Sequence, residues 1–345
     1  MITGLDVANA AGVSKATVSA VLSGEAKRRR ISQKTADRVL AAAKELNYVP
    51  NLLARSVRKG STSIIGILLP LPRDNSYARI MDTLETGLYR RNYFAMFSFW
   101  KTVKEQEPAL RSILLHMPDA IITVEPALLP ENLSIPVVTL FNRDPRFDYV
   151  SIDRKAIWRE SFDILMECGH RRIAVPNLFP VSAPPKNQEL EDASRFVLSE
   201  MDARGISRQY AATLHKKNPD DIENYAESLA AWLLAFPPEK RPTAAIIDED
   251  INAIHLMRVL IRKGFSLPRD LSILSSGNLQ MGRVFLPSLT TFGEDPQDPI
   301  GKKLCRRILE RLKHPDMPRR EMFVRYKLYP GESVIPFSGN EWKGR

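Results

Sequence analysis

Cysteine is scarce in this chain of 345 residues: Cys168 and Cys305 are the only two. Two thiols cannot build a disulfide framework or a four-thiolate zinc site, and they fit a reduced, cytoplasmic setting. Long apolar runs are missing as well. The N-terminal stretch lacks the continuous apolar segment of a secretory signal, and no run of about 18 apolar residues could span a bilayer. Signatures of catalysis that depend on fixed spacing are also absent. There is no Gly-rich dinucleotide fingerprint, Walker phosphate loop, nucleophile elbow or His-Glu-x-x-His zinc motif. The expectation is a protein with no cofactor and no enzymatic activity.

What is present is enough apolar material for real cores, at 44% hydrophobic and 26% charged residues. Disorder is thereby excluded, and the length fits about two or three domains. The charge is lopsided. Residues 1–60 hold eleven Lys and Arg against four acids, a net +7 of the chain's +10. The remaining residues hold 39 bases against 36 acids. A local basic excess points to a polyanion, either nucleic acid or an anionic membrane surface.

The N-terminus reads as short helices. Thr3 is placed to cap a helix carrying Leu5, Val7, Ala8 and Ala11, which Gly12 ends. Ser14 is an N-cap for a second helix whose apolar stripe is Val18, Val21 and Leu22. Lys15, Ala16, Ser19 and Ala20 are then expected to face outward. Ser32 caps a third helix with Val39, Leu40, Ala43 and Leu46 on its apolar side, ending before Pro50. Two helices joined by a tight Gly-containing turn form the helix-turn-helix pattern, whose second helix enters the DNA major groove.

Residues 3–60 resemble the DNA-binding head of the LacI/GalR transcription regulators. The matching residues are Asp6-Val7-Ala8, Ala11-Gly12-Val13-Ser14, Thr17-Val18-Ser19, Val21-Leu22, Thr35, Arg38-Val39, Glu45 to Asn51 and Ala54-Arg55-Ser56, in the family's order. The strand Ile65 to Pro70 fits the start of the family's effector domain. The resemblance implies a division into a helix-turn-helix domain (1–49), a hinge helix (50–60) and a two-lobed domain like periplasmic binding proteins (61–345).

It also implies roles. Lys15 and Ala16 fall where the second helix reads base edges, and Ala20 falls at a position often held by a large polar reader. Ser14, Thr17, Ser19, Thr35, Tyr48 and Asn51 match phosphate-contact positions; caps and packing are the plainer roles for the same residues. Residues 51–59 match a hinge that folds on the minor groove. There Val57 takes the place of a wedging Leu, Ala54 faces the groove floor, and Arg55, Arg58 and Lys59 meet phosphates. The turn Ser23 to Ile31 is about three residues longer than the family usually has. Its run Lys27, Arg28, Arg29, Arg30 is either a backbone clamp or a solvated loop.

Beyond residue 61 strands and helices alternate, which means parallel sheets covered by helices. Candidate strands lie at 64–70, 93–99, 119–124, 135–141, 172–176, 210–214, 244–248 and 271–275. Lobe one is expected at 61–155 with 288–320, and lobe two at 156–287, closed by a strand near 322–329. The chain would cross between lobes three times, with ligand at the carboxyl ends of the strands. Candidate effector contacts are Asn75, Tyr77, Arg143, Asp153, Asp250 and Asn278. The pocket departs from the family. Gly277 stands where relatives carry a sugar-gripping carboxylate, and a Pro-rich stretch, Phe179 to Lys186, replaces the region of a common Arg. Three outcomes stay open: an atypical sugar, a non-sugar ligand, or lobes that serve dimerisation only. The tail from Ser333 lacks a leucine heptad, so a homodimer is expected rather than a tetramer.

Overall fold

The structure is a computed structural model that describes residues 2–48, 60–71, 75–178, 188–214 and 221–338. The chain divides into two compact units, residues 1–63 and 64–345.

In the first unit, α1 (Gly4–Ala11), α2 (Lys15–Leu22) and α3 (Gln33–Glu45) form a small bundle. Each is capped by the residue its sequence offers. Thr3 closes a capping box with Asp6, whose carboxylate accepts the Thr3 N–H at 2.7 Å. These hydrogen bonds hold the Asp6 carboxyl below its usual range. Gly12 ends α1 at φ 62°, a left-handed conformation that favours glycine. The core is Val7, Ala8, Ala11, Val18, Val21, Ala36, Val39, Ala42 and Ala43. Leu40, expected on the buried stripe, is 50% exposed, because Ala36, Val39 and Ala43 already fill that face.

The second unit has two sheets. Sheet A runs β2 (Phe94–Trp100), β1 (Ile64–Pro70), β3 (Ala120–Thr123), β4 (Val137–Leu140), β5 (Asp148–Ile152) and β10 (Glu321–Val324), all parallel. Sheet B runs β6 (Ile173–Ala174), β7 (Ala244–Ile247), β8 (Ser272–Ser276) and β9 (Thr290–Glu294) in parallel, with β11 (Tyr326–Tyr329) antiparallel at the edge. Helices α4 (Asn75–Tyr89), α5 (Val103–Leu114) and α11 (Ile300–Lys313) belong to lobe one. Lobe two carries α6 (Arg154–Glu167), α7 (Gln188–Ala203), α8 (Ile222–Leu234), α9 (Asp250–Arg262) and the short α10 (Gln280–Val284). Helices α4 and α11 pack closely: a Cβ on Gly301 would lie 2.2 Å from Thr83 Oγ1 and 2.5 Å from the Ile80 carbonyl oxygen.

Three crossings join the lobes, as expected: after β5, after β9, and at Arg325 between β10 and β11. The lobe boundaries differ from the expected ones. Strand β9 lies in sheet B, and Phe292 is fully buried in the core of lobe two. The expected strand near 322–329 is two strands in different sheets. Val324 is buried in the core of lobe one, whereas Tyr326 pairs with Glu294 in sheet B. The apolar alternation of Met322 to Tyr329 runs through the crossing and does not mark it. The expected strand at 210–214 reduces to isolated bridges at Ala211 and Thr213. No described helix is long and apolar enough to cross a membrane.

Candidate nucleic-acid interface and ligand cleft

Helices α2 and α3 begin alike. Ser14 Oγ accepts the Thr17 N–H at 3.1 Å and lies 2.9 Å from Thr17 Oγ1. Ser32 Oγ accepts the Thr35 N–H at 3.2 Å and lies 2.9 Å from Thr35 Oγ1. When the threonine hydroxyl donates to the serine, the serine's own proton is left for an outside acceptor. The first turn of a helix has unpaired N–H groups and a positive dipole end, so each start is a ready anion contact. Lys15 and Ala16 are exposed at the leading turn of α2, and Thr17 and Ser19 are half-buried. Lys34, exposed beside the Ser32–Thr35 pair, was not singled out from the sequence, where it reads as one more surface charge. The half-buried Tyr48 packs on the bundle core, its hydroxyl 3.2 Å from where a Cβ on Gly4 would sit.

Ala20 does not face outward. It is 3% exposed, and its carbonyl accepts the Glu25 N–H at 2.9 Å and the Ser23 hydroxyl at 3.2 Å. The lengthened turn folds back onto the end of α2. That turn is ordered by backbone hydrogen bonds, Arg29 N–H to the Glu25 carbonyl at 3.0 Å and Ile31 N–H to the Ala26 carbonyl at 2.9 Å. Its four bases are all exposed, but they are not all unpaired: Arg28 and Arg29 each reach Glu25 at 3.4 Å. Asn51, Ala54, Arg55, Val57, Arg58 and Lys59 lie outside the described residues.

The effector candidates do not converge. Asn75 opens α4 instead of lying in a loop, and Tyr77 in the same turn packs edge-on against Phe141 at 6.0 Å. Arg143 pairs with Glu321 at the amino end of β10, the side of the sheet away from the strand ends that line the cleft. Asp153 caps α6 by accepting the Ala156 N–H at 3.0 Å. Asp250 is 1% exposed, and its carboxylate accepts the Leu279 N–H at 2.7 Å and the Thr291 hydroxyl at 2.6 Å. Burial pushes its pKa up. It ties α9 to β9 and the approach to α10 and is not free for a ligand. Asn278 is buried at φ 53°, with its carboxamide oxygen held by Arg283 at 2.8 Å.

At the carboxyl ends of β7 and β8, beside the crossing from β5 into α6, a small cavity is lined by Ile152, Arg154, Trp158, Asp248, Ser275 and Ser276. None of these is among the candidates drawn from the sequence. The cavity they enclose holds about 20 Å³, room for a water and not for a sugar. A wider groove of about 460 Å³ opens nearby between α4 and the 278–283 segment. His170, Cys168 and Cys305 are structural. His170 bridges Thr243 at 2.9 Å and the Ile335 carbonyl at 3.0 Å, and burial pushes both thiols up, away from the reactive thiolate.

A helical bundle with two hydroxyl-capped helix starts, and a separate unit of two parallel-sheet lobes, define a helix-turn-helix head on a body like periplasmic binding proteins. Residues 5–51 match the family model of bacterial regulatory proteins of the lacI family, and residues 162–334 match that of the periplasmic binding protein-like domain. The chain belongs to the LacI family of DNA-binding transcription regulators. It is 28% identical over 351 aligned positions to the HTH-type transcriptional repressor PurR of Aliivibrio fischeri (strain MJ11), covering 97% of this chain and 99% of that one. It is 28% identical over 321 positions to the catabolite repressor/activator of Escherichia coli (strain K12), covering 91% and 93%. In structure it resembles the Lac repressor dimer bound to operator and the anti-inducer ONPF, with TM-score 0.78, 19% identity and coverage of 97% and 99%. It also resembles the LacI family regulator CCPA of Weissella paramesenteroides with bound glucose, with TM-score 0.65, 18% identity and coverage of 79% and 98%.

Proposed function

We propose that the protein is a transcriptional repressor that binds a pseudo-palindromic operator as a homodimer and responds to a small-molecule effector. The observation that carries the DNA half is the pair of hydroxyl-capped helix starts, Ser14–Thr17 and Ser32–Thr35, with Lys15 and Ala16 exposed at the leading turn of α2. Lys15 donates to guanine O6 or N7, and the Ala16 methyl packs on a thymine methyl. Lys27 to Arg30 and the hinge bases Arg55, Arg58 and Lys59 contact phosphates, and Val57 forms a shallow wedge in the minor groove. Relatives named as repressors support the direction of regulation. The dimer is supported by exposed apolar side chains on both lobes: Tyr89, Phe94 and Phe99 around the edge strand β2, and Met281, Val284 and Leu286 on lobe two.

Selection of binding sites from random duplexes tests this reading. The expected result is a two-fold symmetric consensus, lost in Lys15→Ala. Retention of all sequences alike would overturn sequence-specific binding.

A second reading, in which the lobes serve dimerisation without an effector, is favoured by Asp153 and Asp250, whose carboxylates are taken up by a helix cap and by Thr291 and Leu279. Thermal-shift screening of the full chain against sugars and other metabolites separates the two. A compound that raises both the melting temperature and the operator off-rate excludes the dimerisation-only reading.

A further inference from the structure

The 460 Å³ groove between the lobes is lined by Ala78, Arg79 and Asp82 of α4 and by Asn278, Leu279, Gln280 and Arg283 of lobe two. Its chemistry is unlike that of a polyol site. Arg79 donates to the Asn278 carbonyl at 3.4 Å across the lobes. Arg283 holds the Asn278 carboxamide oxygen through Nε at 3.0 Å and Nη2 at 2.8 Å, and lies over the Tyr329 ring at 5.5 Å. Among the described residues neither guanidinium is in an ion pair. Asn278 Nδ2 is buried beside Gly293 without an acceptor and is closed off from the groove. The groove therefore offers two guanidinium groups and the Gln280 amide, against one exposed carboxylate at its rim, Asp82. Behind Arg79, burial pushes the Glu294 carboxyl up, opposed by its bond from the Ile300 N–H and by Arg79 itself. Gly277, next to Asn278, adds no carboxylate.

We propose that this groove binds a small anion, the carboxylate or phosphate of a metabolite, held between Arg79 of lobe one and Arg283 of lobe two. Guanidinium groups suit such ligands through paired, charge-assisted hydrogen bonds. A ligand gripped from both lobes favours the closed arrangement, and that differential affinity is what an effector needs. This inference rests on the reading that the lobes take an effector, and it names the effector's class.

The test is calorimetry and thermal shift on the full chain at fixed ionic strength, with inorganic phosphate, glucose 6-phosphate and citrate as probes and glucose as the neutral control. The expected result is that at least one anion binds and stabilises while glucose does not. Arg79→Gln and Arg283→Gln should each weaken that binding by about tenfold or more, with partial recovery in the Lys variants; circular dichroism checks that each variant is folded. Phosphate and citrate arms tell the two anion chemistries apart. If glucose binds and the arginine variants leave it unchanged, the anion site is wrong while the effector reading stands. If no probe binds to protein that still recognises its operator, the site is overturned. An anion that binds wild type and both Gln variants equally overturns it too. If the variants shift the dimer–monomer equilibrium without changing anion affinity, the arginines serve the subunit contact and the proposal fails.

Discussion

Arg307 donates Nε at 2.9 Å and Nη2 at 2.6 Å to one oxygen of Asp148, and neither side chain is exposed. Arg311, one turn further along α11, donates to the other oxygen at 2.9 Å, and the Arg320 N–H adds a bond at 2.8 Å. Further guanidinium donors go to the Pro318 carbonyl at 2.7 Å, the Pro315 carbonyl at 2.8 Å and the Glu310 carboxylate at 3.4 Å. One carboxylate thus staples α11 to β5 and to the segment that leads into β10. Asp148→Asn keeps the volume but leaves Arg311 without a counter-charge and Arg307 with only the partly exposed Glu310 at 3.4 Å. The expected loss is about 3–5 kcal/mol, the usual cost of removing one partner of a buried ion pair. Urea unfolding should show a lower midpoint at unchanged slope. A loss below about 1 kcal/mol, the range of exposed pairs, would mean that solvent already screens the cluster.

Local signals were legible in the sequence and long-range ones were not. The caps Thr3, Ser14 and Ser32 and the terminator Gly12 act within four residues, so their chemistry can be read directly. Buried strands such as Ile64–Pro70 stand out as apolar runs for the same reason. The Arg307–Asp148 staple joins residues 159 positions apart, and the Arg79–Asn278 contact spans 199. No spacing rule reaches that far. The effector candidates were drawn from strand ends, which is the correct region for a cleft. Which strand-end carboxylate faces solvent depends on the packing of other elements. Asp250 is taken by Thr291 and Leu279, and Asp153 by its own helix.

The two basic groups of the head should separate by salt and by sequence. Lys15→Ala is expected to reduce operator binding more than binding to random DNA. Replacing Lys27, Arg28, Arg29 and Arg30 with Gln should weaken both alike and flatten the plot of log affinity against log salt. The slope should fall by about 0.9 for each phosphate that is no longer neutralised. Because Glu25 holds Arg28 and Arg29, Glu25→Gln should tighten non-specific binding modestly. Fluorescence anisotropy across a salt series reads all three. An unchanged slope in the Gln variant removes the clamp.

Ala20 gives a sharper test of the lengthened turn. If its methyl faced the major groove, Ala20→Gln would add a base-reading carboxamide and alter the selected consensus. With Ala20 buried under the Ser23 and Glu25 bonds, the larger polar side chain must displace that turn. The expected effect is destabilisation of the head by about 1–3 kcal/mol, with the consensus unchanged. Melting of the head resolved by amide hydrogen exchange, together with site selection, decides between them. A new base preference in a fully stable variant would place residue 20 at the DNA.

His170 should make stability depend on pH. Ile335 offers its ring only a carbonyl, so Nε2 donates there, and in the neutral ring Nδ1 accepts from the Thr243 hydroxyl. Burial, reinforced by Arg171 nearby, holds its pKa below 6.5 despite the opposing carbonyl bond. The charged groups lining the adjoining pocket are Arg172, Arg241 and Arg269, with Asp270 beside Arg269 at 3.5 Å. As pH falls below 6.5, the unfolded chain takes up the proton first, so stability declines with acidification. The imidazole also anchors the tail, where Ser333 Oγ donates to the Ile273 carbonyl at 2.6 Å and the Phe337 N–H to the Cys168 carbonyl at 2.7 Å. Urea unfolding of wild type and His170→Gln at stepped pH isolates the contribution, because other titrating groups cancel in the difference. The gap between the two proteins should narrow as pH drops through that window. A constant gap would mean that His170 titrates alike in the folded and unfolded chains.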